Sequence, residues 1–145
     1  MQKRLKNNLG LGGWLSGGRY GIERYAYTLH RITGLGILLY FIMHIIVTGS
    51  RMGGPEAWES MMASFEKPIF KLGEFMIFIA FAFHGINGIR LILVELGAMI
   101  GKPGLPSFPY NYSTLRQRPL FVAVMVVAAV IILIGGTDLY FLVMK

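Results

Sequence analysis

The apolar residues of this chain fall in three long blocks, from about Ile32 to Thr48, Leu72 to Leu96 and Leu120 to Val143. Each block is close to or beyond the ~20 residues a helix needs to cross roughly 30 Å of hydrocarbon. In lipid only a helix or a closed barrel satisfies its own backbone polar groups, and blocks of this length are helical rather than strand-like. The expected fold is therefore all-α and integral to the membrane, with three transmembrane helices over 32–48, 72–96 and 120–143. The rest reads as a tail over 1–31 and loops over 49–71 and 97–119, which leaves no room for a soluble domain. One membrane-anchor domain spans 1–145.

Two loops break this pattern in different ways. Between Pro55 and Pro68 the stretch Glu56 to Phe65 reads as a short surface helix whose Met61, Met62 and Phe65 would face the bilayer. The segment Lys102-Pro103-Gly104-Leu105-Pro106-Ser107-Phe108-Pro109 is too rich in turn formers to be helical throughout. In the tail, Gly10, Gly12, Gly13, Gly17 and Gly18 do not make a phosphate-binding loop, since no strand precedes them and no Gly-Lys-Ser/Thr follows. Nor does the tail read as a cleavable signal, because about thirty largely polar residues precede the first apolar block.

Charge adds orientation. Lys3, Arg4, Lys6, Arg19, Arg24 and Arg31 face a single Glu23 in the tail, whereas Arg51, Lys67 and Lys71 are balanced by Glu56, Glu59 and Glu66 in the first loop. The second loop is basic again, so the N-terminus and that loop are expected in the cytoplasm, with the first loop and the C-terminus outside. The net charge of +7 is then mainly a topology signal, and no nucleic-acid partner is expected. With no cysteine in the chain, a thiolate metal site, an iron-sulfur cluster held by this chain alone and covalent c-type haem are all excluded. Any metal cofactor must rest on histidine.

There are three histidines, His30, His44 and His84. At ~1.5 Å per residue, counting from Arg31 and Arg90 as membrane edges, His44 lies near the outer surface and His84 nearer the cytoplasmic one, about 10 Å apart in depth. His30 falls closer to the boundary than His84. On that arithmetic no two of them share one haem, and each ligand needs a mate on another polypeptide. Ala80, Asn87, Gly88, Leu91 and Glu95 share a helix face with His84, while Thr33, Ile37, Tyr40, His44, Thr48 and Arg51 form a similar stripe on the first span. Such stripes suit a haem, a proton relay, an ion site or a plain helix interface.

The words around the histidines are more specific. His30-Arg31-Ile32-Thr33-Gly34, followed by His84-Gly85-Ile86-Asn87-Gly88-Ile89-Arg90 and then Glu95, resembles the cytochrome b membrane-anchor subunit of succinate dehydrogenase, or succinate:quinone oxidoreductase. That family carries His-Arg-x-Ser/Thr-Gly and then His-x-x-x-Gly-x-Arg with an acidic residue five positions on. The likeness covers Tyr27 to Gly97 by motif. It implies half of a haem-binding helix bundle, with His84 an axial ligand of haem b and His30, Arg31 and Arg90 beside the propionates.

The same resemblance places quinone contacts at Arg31 and at Tyr27, with Thr28 beside it, where the family often has serine. His44 departs from single-haem members and implies a second haem of the two-haem, two-anchor-subunit type, with menaquinone as the expected quinone. Implied partners are a second anchor subunit supplying the other axial histidines, an iron-sulfur subunit, a flavoprotein subunit and the lipid bilayer. The expected setting is the plasma or inner membrane of a bacterium or archaeon, where this chain does no dicarboxylate chemistry itself. The alternatives are a haem b anchor of another respiratory oxidoreductase and a haem-free assembly or transport subunit.

Overall fold

The computed structural model describes residues 22–98 and 113–143. They form helix α1 over Ile22–Gly49, a 3-10 turn over Ser50–Gly53, a short helix α2 over Pro55–Ser64, and long helices α3 over Pro68–Glu95 and α4 over Ser113–Val143. The glycine-rich tail and the turn-rich segment 102–109 lie outside the described residues. Three helices are long and apolar enough to cross a membrane, so the chain is a multi-pass, all-helical membrane protein.

The apolar block at 32–48 is only part of α1, which starts ten residues earlier at Ile22. Hydropathy marks the slab of lipid, whereas a helix continues past it wherever no proline or glycine stops it. Here Glu23 sits in the first turn, where an acidic side chain complements the helix dipole. At the other end of α1 the chain reverses through Gly54, whose φ of 90° suits a residue without a Cβ. Pro55 then opens α2 at a position where its missing N–H costs nothing.

Helix α3 is central, packed against α1 on one side and α4 on the other. Its phenylalanines meet glycines on α4: a Cβ on Gly135 would collide with the ring of Phe78, and one on Gly136 would come within 3.4 Å of Phe75 Cζ. Ala26, Phe83 and Phe121 bring all three long helices into one small apolar cluster, with Met125 against it. Elsewhere large apolar side chains point outward, Leu35, Leu39 and Ile46 among them at 68–70% exposure. In water such a surface would be a liability, but lipid or partner helices cover it without cost.

Of the apolar residues expected to face the bilayer from the stretch Glu56 to Phe65, Met62 and Phe65 line a groove shared with α1 and α3. The cause is the tight reversal at Gly54, which folds α2 back beside the end of α1, where Arg51 lies 4.2 Å over the Trp58 ring.

Gly135→Ala should destabilise the purified protein by about 1–3 kcal/mol, the usual cost of overpacking, less the fraction recovered from alanine's better helix propensity. Gly136→Ala should be close to neutral. Thermal melting of both variants in detergent checks this, and equal melting points would mean that Phe78 yields freely.

Candidate functional site

The site is built where α1 and α3 touch. His84 Nδ1 lies 2.9 Å from the backbone carbonyl of His30 and 3.3 Å from Thr33 Oγ1. A carbonyl oxygen can only accept, so Nδ1 is the donor, and in the neutral imidazole Nε2 is the nitrogen left with a lone pair. Thr33 in turn donates to helix carbonyls, 2.8 Å to Leu29 and 3.0 Å to His30. The His30 ring stacks on the His84 ring at 3.8 Å between centroids and 7° between planes.

One glycine makes this contact possible. A Cβ on Gly34 would stand 2.7 Å from His84 Cε1, closer than carbon atoms pack, whereas one on Gly88 would be an ordinary 3.5 Å from His30 Cε1. The ring contact also corrects the depth assigned to His30. His30 is level with His84 and two turns inside α1, which runs from Ile22. His44, fourteen residues further along α1, is then ~21 Å from that level.

One turn beyond His84, Asn87 is wholly buried and Arg90 is 4% exposed. Arg90 Nε donates to Asn87 Oδ1 at 3.0 Å, and the guanidinium lies 5.3 Å from the Phe121 ring centroid on α4. A buried cation normally demands its full set of partners. Arg90 has this one hydrogen bond among the described residues, while Asn87 Nδ2 and His30 Nδ1 are buried with none. Nearby, Arg118 Nε meets Glu23 Oε1 at 3.0 Å, tying the start of α4 to the start of α1.

The remaining candidates divide between two faces. Tyr27 and Arg31 lie on the exposed side of α1, with the guanidinium 5.7 Å from the tyrosine ring centroid. Thr28 is buried instead, in an apolar pocket of about 450 Å³ with Tyr25, Phe83, Phe121 and Met125. His44 is exposed at the far end of α1 and lines the other groove, also about 450 Å³, with Tyr40, Trp58, Phe70 and Glu74.

A family profile for the succinate dehydrogenase/fumarate reductase transmembrane subunit matches residues 2–134. The chain belongs to that family. Among curated relatives it is 30% identical over 71 residues to the succinate dehydrogenase 2 membrane subunit SdhC of Mycobacterium tuberculosis, covering 49% of this chain and 52% of that one. It is 32% identical over 74 residues to a succinate dehydrogenase hydrophobic membrane anchor subunit of Halobacterium salinarum, covering 50% and 57%. A third relative, the anchor subunit of Archaeoglobus fulgidus, is 29% identical over 86 residues, covering 59% and 74%. The chain thus spans little more than half the length of the first two.

The residues present fit the haem that a cytochrome b anchor of this family implies. His84 offers one oriented imidazole nitrogen, Nε2, and Arg90 offers an under-used guanidinium with which an anionic carboxylate would pair. No cluster of three metal-binding side chains occurs among the described residues, so a bare ion has no protein cage there. The family words pointed to His84, Arg90, His30 and Arg31. They left unassigned Thr33, Gly34 and Asn87, and nothing in the sequence marked the Glu23–Arg118 pair, because those roles depend on contacts between helices.

Asn87→Leu should leave the Arg90 Nε–H without an acceptor in a buried setting and cost about 1–3 kcal/mol. Thermal denaturation of the purified protein measures this. No loss of stability would show that Arg90 finds another acceptor at once.

Proposed function

We propose that this chain is the haem b-binding membrane anchor of a succinate dehydrogenase, helping electrons pass from an iron-sulfur subunit to quinone. The observation that carries this reading is the hydrogen bond from His84 Nδ1 to the His30 carbonyl, at 2.9 Å. It fixes ring orientation and tautomer together, which is what an outer-shell acceptor does for a metal-ligating histidine. Bound haem supplies one-electron chemistry at its iron.

His84 would hold the haem iron from this chain. His30, whose ring lies face to face with that of His84 at 3.8 Å between centroids, would not hold the same iron. A second anchor subunit therefore supplies the opposing histidine. Arg90 and His30 hold the propionates, with Arg31 at their margin, since guanidinium and carboxylate make strong paired hydrogen bonds. Arg31, stacked on Tyr27 and exposed, is free to donate to a quinone carbonyl, and the Tyr27 hydroxyl is the second contact. Thr28 points into a different pocket, so it lines the wall behind the quinone site rather than the site itself.

His44 is the ligand of a second haem shared with the same partner. Its imidazole makes no hydrogen bond among the described residues and borders an apolar groove at the opposite end of α1 from His84. Haems held by His44 and His84 would lie about 20 Å apart along the helix, in keeping with electron transfer across the bilayer and with menaquinone as acceptor. The flavoprotein and iron-sulfur subunits dock at the His84 end, the cytoplasmic end by the charge pattern of the tail.

A reduced-minus-oxidised spectrum of the purified complex should show a b-type α band, and its absence would contradict the haem assignment. His84→Ala should remove one haem signal and His44→Ala a different one. Replacing Arg31 should lower quinone reductase activity by tenfold or more while reduction of a soluble dye by the catalytic subunits persists; equal loss of both would point to failed assembly.

A further inference from the structure

The pair Thr33-Gly34 has no role in the assignments above, yet both residues touch His84. We propose that Thr33 and Gly34 are positioning residues that seat His84 on the His30 carbonyl and thereby set the reduction potential of the haem it binds. The proposal rests on the haem reading of the site.

A carbonyl inside an α-helix already accepts one backbone N–H, and side chains of the following turn normally shield its other lone pair. At His30 that shield would be the side chain of residue 34. Gly34 has none, and the ring of His84 occupies the space: a Cβ there would be 2.7 Å from Cε1, 3.2 Å from Nδ1 and 3.7 Å from Nε2. All three ring atoms on the working side of the imidazole are therefore placed by the absence of one methyl group. The missing Cβ is a condition of the 2.9 Å hydrogen bond to the His30 carbonyl.

Thr33 supplies the second acceptor. Its hydroxyl oxygen is closest to the Leu29 carbonyl, at 2.8 Å, and next to the His30 carbonyl, at 3.0 Å. The hydroxyl proton thus goes chiefly to Leu29, and an oxygen lone pair remains for the Nδ1–H of His84 at 3.3 Å. At that length it is the weaker of the two acceptors. The hydrogen bonds to the Leu29 and His30 carbonyls keep the oxygen on this side. Together the two acceptors draw the Nδ1 proton outward, make Nε2 a stronger electron donor and stabilise the oxidised iron, which lowers the potential.

The test uses the assembled complex with haem bound. Potentiometric titration of the haem α band gives the potential, and electron paramagnetic resonance of the oxidised haem reports the ligand field independently of turnover. Gly34→Ala, which pushes the ring off the carbonyl, should raise the potential by about 59 mV or more, a tenfold change in the one-electron reduction equilibrium. Thr33→Val, which removes only the hydroxyl, should raise it by a smaller amount, and Thr33→Ser should restore the parental value. If Gly34→Ala assembles without haem, Thr33→Val against Thr33→Ser decides alone. Unchanged potential and unchanged resonance in Thr33→Val, or a shift that Thr33→Ser fails to reverse, overturns the proposal. Failure of the haem reading itself is seen earlier and separately, as a parental complex with no b-type band.

Discussion

The rest of the site depends on a hydrogen bond between two membrane-spanning helices, from the His84 imidazole on α3 to the His30 backbone carbonyl on α1, 2.9 Å away. Within hydrocarbon neither partner can turn to water instead, so the bond holds the two helices in one register. With that register come the stacked rings of His30 and His84 and the exposure of Tyr27 and Arg31 on the flank of α1. Asn87 and Arg90 follow on the next turn of α3. The glycine at position 34 is the local condition for all of it.

The buried polar side chains Thr28, Asn87 and Arg90 are not spread along the bundle. Glu23, Asn87, Arg90 and Arg118 gather at the end near His84, where α1 and α4 start and α3 finishes. Buried polar atoms on His30 and Asn87 without partners, and a guanidinium with one hydrogen bond, are costly in a finished protein. On the proposed haem reading they are the groups that would pair with it. The outward apolar surface of α1 has the same meaning on a larger scale, since both lipid and a second anchor subunit can cover it.

Much of this was legible in the sequence, but unevenly. Block length and hydropathy are properties of single segments, so the three spans and the all-helical fold followed from Ile32, Leu72 and Leu120 onward without any knowledge of packing. His84 and Arg90 were legible as members of a spaced word. The depth of His30 was not, because counting inward from Arg31 places it nearer the boundary than His84, whereas the level of His30 is set by its contact with the facing helix. Likewise, Met62 and Phe65 were apolar on a short helix, and only the reversal at Gly54 decides which side they meet. Thr33 and Gly34 look like ordinary small residues at a helix interface until the facing helix brings a histidine to them.

The most direct test of the central claim is an electron cryomicroscopy map of the assembled complex, sharp enough to show the orientation of the His84 ring. The account requires His84 Nε2 on the iron, Nδ1 within hydrogen-bond distance of the His30 carbonyl, and the opposing ligand from another chain. A map with Nδ1 turned to the iron, with the two histidine rings apart, or with His30 as the opposing ligand would contradict it.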